Sequence, residues 1–251
     1  MSQNRRKFIK NSLYLGALMS TPWVFSHGLN YNDSNEFTVD ELMGKGRPAL
    51  YGKGFKLRKE VAESLNQLIA AAKKEGFSPY VISSYRNYNH QKRIWDNKYV
   101  NFTQQQKLSP TAAIEKIIMY STIPGTSRHH WGTDFDIVDG AKGIVDNPLH
   151  EKHFNKNGVY HDFKLWLNLY ASSFGFHEVY TNDPKRKGFK YEPWHFSYIP
   201  TSCEMLKEYM EKNLIRNVLT SDIQGAAHLT ADFLNKYYVE NILDINKDLI
   251  P

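Results

Sequence analysis

Cysteine is almost missing from this chain of 251 residues, since Cys203 stands alone. An intramolecular disulfide framework, a four-cysteine zinc site and a CxxC redox pair are excluded together, so any metal must bind through His, Asp or Glu. An excess of charge of one sign is missing too. Of the 32 Lys and Arg residues, Arg5, Arg6, Lys7 and Lys10 precede the first acid, Asp33, and leave 28 bases against 26 acids in the remainder. That near-balance offers no basic face to a phosphate backbone, and a nucleic-acid partner is set aside. The chain has no apolar run long enough to span a bilayer, no internal repeat, no low-complexity tract and no Gly-rich dinucleotide loop. What remains, with 41% hydrophobic, 14% aromatic and 23% charged residues, is the balance of a packed globular chain.

The first 26 residues read as an export leader. Residues 1–11 are basic, Ser12 to Val24 are moderately apolar, and Val24-Phe25-Ser26 offers small residues at the cleavage positions. Asn4-Arg5-Arg6-Lys7-Phe8-Ile9-Lys10 resembles the twin-arginine export signal, and the general secretory route is the alternative. Either route leads out of the cytoplasm, to the periplasm of a bacterial envelope, with no transmembrane anchor left after cleavage.

The polar, Gly-rich residues 27–54 are expected to form an irregular lead-in. Leu57, Val61, Leu65 and Leu68, broadened by Ile69 and Ala72, predict an amphipathic helix that Gly76 ends. Pro79 to Ser84 reads as a short buried strand, and Asn87 to about Tyr99 as a helix. Ser109-Pro110 supplies an N-cap and a first-turn proline for a helix reaching about Tyr120. The alternation from Thr133 to Ile137 predicts a strand with Phe135 and Ile137 on one face and Asp134 and Asp136 on the other. A helix over 161–173 with Phe163, Leu165, Trp166, Leu169 and Tyr170 as its apolar positions comes next, then strands at Phe176 to Tyr180 and Trp194 to Ile199. Beyond Pro200, Met205, Leu206, Tyr209, Met210, Leu214, Val218 and Leu219 suggest a helical covering extension over 201–251. Helices and short strands without a βαβ repeat indicate an α+β domain over 55–200, with a small antiparallel sheet.

Three segments carry the chemistry: Ser83-Ser84-Tyr85-Arg86 with Gln91, then Ser127 to Asp136, then Glu192-Pro193-Trp194-His195. A catalytic zinc takes three protein ligands and keeps a position open for water. His129, Asp136 and His195 can supply such a set if their strands lie together, and Glu192 can then face the open position as a general base. Isolated histidines are usually solvated, capping or packed, and His150, His153, His161 and His177 take that reading. His177-Glu178 begins no H-E-x-x-H motif, because position 181 is Thr181. His130, beside His129, points elsewhere than a ligand does.

In this order the segments resemble the VanY-like D-alanyl-D-alanine carboxypeptidases, zinc metallopeptidases that share a core with lysostaphin and the hedgehog signalling domain. S-x-H-x-x-G-x-x-x-D is met by Ser127, His129, Gly132 and Asp136, E-P-W-H by Glu192 to His195, and S-x-Y-R with a following Q by Ser83, Tyr85, Arg86 and Gln91. The resemblance implies one Zn2+ on His129, Asp136 and His195, Glu192 as catalytic base, and Arg86 as a charge-stabilising, substrate-binding group. Gln91, Ser127, Ser84, Tyr85 and Trp194 complete the expected substrate contacts. The implied reaction removes a terminal D-amino acid, D-Ala, from the peptidoglycan stem peptide. An L,D-carboxypeptidase, a stem-peptide endopeptidase and a non-catalytic zinc-holding wall-binding module are the alternatives. In one place the chain departs from the pattern: Asp134 stands where the family usually has a small residue, and this acid either lies beside the ligands or narrows the pocket.

Overall fold

A computed structural model describes residues 37–220 and 222–251. The leader reading of 1–26 and the first part of the lead-in lie outside the described residues. Among them, no helix is long and apolar enough to cross a membrane.

The centre is a four-stranded antiparallel sheet in the order β1-β2-β4-β3, with β1 at Pro79–Ser83, β2 at Asp134–Asp139, β3 at Phe176–Glu178 and β4 at His195–Tyr198. The expected α+β class with a small antiparallel sheet is therefore the one observed. β1 differs from its reading as a buried strand. It has only β2 beside it and leaves Tyr80 55% exposed, as edge strands do.

Helix α1 (Val39–Leu42) sits in the stretch expected to be irregular. Thr38 and Glu41 form a reciprocal capping box there, and Leu42 and Met43 bury into the main core. The sequence pattern misses so short a helix because it completes barely one turn. Helix α2 (Lys59–Lys74) turns Val61, Ala62, Leu65, Leu68 and Ala72 inward. Burying each larger side chain contributes about 1.5–3 kcal/mol. Helix α3 (Tyr88–Val100) is capped by Asn87, whose side chain accepts the His90 N–H, and α4 (Pro110–Ile117) by Ser109 accepting from Ala112. Helix α5 (His161–Tyr170) buries Phe163 and Trp166 but leaves Leu165 and Leu169 exposed, so its apolar stripe is narrower than its composition suggested.

After β4 the chain enters α6 (Ile199–Glu211), later followed by α7 (Ala231–Tyr237). Met205, Leu206, Tyr209, Leu214, Val218 and Tyr237 share one core with Leu42, Trp95, Ile114, Ile117 and Trp131. Leu219, expected in that stripe, is exposed.

Candidate metal centre and peptide pocket

Strand register builds the site. β2 and β4 pair so that Asp136 lies opposite His195 and Asp134 opposite Ser197. Alternation along each strand sends these four side chains to one face and leaves Phe135 and Phe196, also paired, on the other. His129 comes from the tight turn Arg128–Trp131, which Gly132 closes at φ +70° before β2 begins. One ligand atom from each of His129, Asp136 and His195 lies within 4.8 Å of the other two, and all three residues are buried. His129 Nε2 is 3.5 Å from Asp136 Oδ2, and His195 Nδ1 is 3.8 Å from Asp136 Oδ1.

The backbone after β1 holds the histidines. His129 Nδ1 meets the Ser84 carbonyl at 2.8 Å, His130 Nδ1 meets the Arg86 carbonyl at 2.6 Å, and the Arg86 N–H donates to the His129 carbonyl. Bonding one ring nitrogen of His129 to a carbonyl leaves Nε2 as the free lone pair. His130 is turned away and is no ligand, because its Nε2 accepts the Gly125 N–H.

Glu192 precedes β4 by one turn. Its N–H donates to the Tyr180 carbonyl, and its Oε2 is 3.1 Å from His195 Nδ1. Burial raises the Glu192 carboxyl above the ordinary carboxylate range, and its contact with His195 only partly offsets this. Burial also lowers His129, with Arg86 adding to it, to about 4. At His195 burial pulls downward, but the hydrogen bonds to Asp134 and Glu192 prevail and push it up to about 9. Burial would raise Asp136, yet the neighbouring His129 and His195 hold it low.

A pocket lined by Arg86, Gln91, Ser127, His129, Glu192 and His195 opens over this set, with Thr122, Tyr180 and Phe189 in its wall. Arg86 Nε, Gln91 Oε1, Ser127 Oγ and Arg128 Nη1, all on residues of this lining, and Asp136 Oδ1 in the ligand set are buried without a hydrogen-bond partner among the described residues. Buried polar atoms are rarely left unpaired, so the four around the pocket mark a place for a polar ligand and the one on Asp136 a place for a cation.

Three expected contacts lie elsewhere. Ser84 Oγ accepts the Lys56 N–H, and Tyr85 points its hydroxyl toward the Gly46 carbonyl. Trp194 packs with Val138, Phe154 and Tyr160 in a small separate core. None of the three side chains lines the pocket, and Ser84 serves through its carbonyl instead. The isolated histidines are also away from it: His150 caps Lys152, His161 meets the Phe154 carbonyl, and His177 pairs with Asp248.

The sequence reading missed Tyr180, Thr122 and Arg128. Thr122 anchors Gln91 by accepting its Nε2 at 2.9 Å through the carbonyl. Arg128 occupies an unspecified motif position, and its roles show only in the structure, where it contacts Asp134 at 2.9 Å and lines the pocket with Nη1 unpaired.

The VanY family model, described as D-alanyl-D-alanine carboxypeptidase, matches residues 54–201. The protein YodJ of Bacillus subtilis (strain 168) is 32% identical over 168 residues, covering 62% of this chain and 54% of that protein. A D-alanyl-D-alanine carboxypeptidase of Enterococcus faecalis (strain ATCC 700802 / V583) is 32% identical over 140 residues, covering 55% of this chain and 47% of that one. The chain thus spans about half the length of these curated relatives. A solved structure of VanYB in complex with D-alanine-D-alanine aligns with a TM-score of 0.51 at 22% identity, over 71% of this chain and 92% of that one, which is a likeness of fold. Because the family model covers more than half of the chain and takes in every residue of the metal centre and its pocket, the protein belongs to the VanY D-alanyl-D-alanine carboxypeptidase family.

Proposed function

We propose that this protein is a zinc-dependent carboxypeptidase that removes the terminal D-Ala from peptidoglycan stem peptides. The observation that carries the reading is the convergence of the His129, Asp136 and His195 ligand atoms within 4.8 Å, beside Glu192 and under a pocket of unpaired polar atoms. Two imidazoles and a carboxylate are a donor set that suits zinc, and Asp136 Oδ1, buried without a hydrogen-bond donor, is an acceptor suited to a cation. His129, Asp136 and His195 would hold the zinc, which would supply Lewis acidity toward the scissile carbonyl and the attacking water.

The chain's own groups do the rest. Glu192 takes the proton of the attacking water and passes it to the leaving amine. Burial raises its pKa, and a carboxyl shifted upward is a better proton donor in the second transfer than an ordinary carboxylate. Arg86 stays charged although burial lowers its pKa, and directs its unpaired Nε at the carbonyl oxygen as that gains charge, or at the substrate's terminal carboxylate. Ser127 Oγ is the second donor in reach of that carboxylate.

A carboxypeptidase needs the free terminal carboxylate. A pentapeptide stem ending in D-Ala-D-Ala is expected to release free D-alanine, seen by mass spectrometry. Its C-terminal amide is expected to lose at least about tenfold in kcat/KM, because a charge-assisted hydrogen bond contributes about 1.5–3 kcal/mol. Equal turnover of both peptides, or fragments cut inside the stem, would overturn the reading in favour of an endopeptidase.

Action on the cell wall is extracytoplasmic, and the Arg5-Arg6 pair supports export to the periplasm by the twin-arginine route. Replacing Arg5 and Arg6 by Lys is expected to leave uncleaved precursor in the cytoplasm on cell fractionation, whereas unchanged export points to the general secretory route.

A further inference from the structure

Asp134 is fully buried beside the metal centre, yet it neither belongs to the ligand set nor lines the pocket. Of the two placements its sequence position left open, the structure has the one beside the ligands. Four groups surround its carboxylate. Thr133 Oγ1 donates to Oδ1 at 2.6 Å and Ser197 Oγ to the same oxygen at 2.7 Å. Arg128 Nε donates to Oδ2 at 2.9 Å, and His195 Nε2 lies 3.0 Å from that oxygen. Arg128 Nη2 closes the ring by donating to Ser197 Oγ at 2.6 Å. A carboxylate has about four acceptor positions, so this one is saturated and has none to spare for a metal.

The diagonal between Asp134 on β2 and His195 on β4 makes the arrangement directional. The His195 ring has Nε2 on Asp134, while Nδ1 faces Asp136 and Glu192. Arg128 balances the charge of the buried Asp134 carboxylate, whose Oδ2 is placed to accept a hydrogen bond from Nε2. His129 is treated in parallel by the Ser84 carbonyl on its Nδ1.

We propose that Asp134 is a positioning residue that holds the Nε2 proton of His195, fixing the ring's tautomer and angle so that Nδ1 is the atom presented to the metal. The assignment rests on the zinc reading above. It gives the acid that departs from the family's usual small residue a task, with Arg128 and Ser197 as the partners that make an acid tolerable there. Partners of this kind around a ligating histidine typically change metal affinity by about 10- to 100-fold.

The test measures the zinc dissociation constant of the full chain by competition with a chromophoric chelator, together with the ring-nitrogen NMR resonances of His195 in zinc-loaded protein. Because Asp134→Ala alone strands a buried arginine, the informative variant is Arg128→Met with Asp134→Ala, its folding checked by thermal melting without metal. Zinc affinity is expected to fall about 10- to 100-fold, with loss of the slowly exchanging Nε2 proton signal expected of the wild type. Asp134→Asn keeps the size and one acceptor oxygen, and is expected to fall between the two. Wild-type affinity and an unchanged Nε2 signal in either folded variant would overturn the role of Asp134. A wild-type chain that binds no zinc would overturn the zinc reading instead.

Discussion

His130 is locked in one protonation state by its neighbours. Its Nδ1 proton goes to the Arg86 carbonyl and its Nε2 lone pair accepts the Gly125 N–H, so a second proton would face a donor. Burial drives the pKa down to about 3. In the unfolded chain the ring titrates near 6.5, so below that pH the unfolded state binds a proton that the folded state refuses. Stability is therefore lost as pH falls from 6.5 toward 3. The loss is about 2 kcal/mol at pH 5, at about 1.4 kcal/mol per unit. Urea unfolding with chelator present, at pH 7 and pH 5, is expected to show a smaller drop for His130→Gln than for the wild type. Equal drops would mean that His130 is protonated in the folded state.

The turn from Arg128 to Trp131 and the strand β2 work as one unit, because His129 on the turn and Asp136 on the strand bring their side chains to the same point. Gly132 joins them at φ +70°, a conformation that costs an L side chain about 1–2 kcal/mol. A Cβ there would also meet Leu50 Cδ2 at 3.1 Å. The joint is pinned from outside as well, since Arg58 N–H donates to the Gly132 carbonyl and Arg58 Nε to the Trp131 carbonyl. Gly44 serves the neighbouring strand of chain. At φ +74° it passes so close to the His130 ring that a Cβ would lie 2.4 Å from Nδ1, while its carbonyl accepts the Tyr88 N–H at the start of α3. These two glycines let α1, the histidine turn and α3 crowd behind the pocket.

The segment beyond Pro200 reaches back to the pocket. Tyr237 on α7 accepts the Ile123 N–H at 3.2 Å and lies 2.9 Å from Thr126 Oγ1, while Tyr209 on α6 donates to the Gly125 carbonyl. These contacts hold the loop that carries Thr122 and Ser127. Tyr237→Phe leaves a buried N–H unpaired and is expected to cost about 1–3 kcal/mol in urea unfolding, with kcat/KM falling as Ser127 loosens. Wild-type stability and turnover would show that the loop holds its shape without that hydroxyl.

Much of the site was legible because it is local. Period-2 alternation alone puts Asp134 and Asp136 on one face, and a single cysteine restricts metal ligands to His, Asp and Glu. Ser109 and Asn87 declare their helices through hydrogen bonds to residues three positions away. The rest depends on contacts between segments far apart in the chain. That Trp194 leaves the pocket for Phe154 and Tyr160, and that β1 is an edge, follow from which elements pack together. So does the return of Tyr237 to the loop at Ile123. The sequence by itself determined the residue types of the candidate metal centre and the strand face that Asp134 and Asp136 share, since both follow from side-chain chemistry and backbone periodicity. Only the tertiary structure decided that Asp136 stands opposite His195 and that Asp134 reaches diagonally to its Nε2, because strand register is set by the packing of the whole sheet.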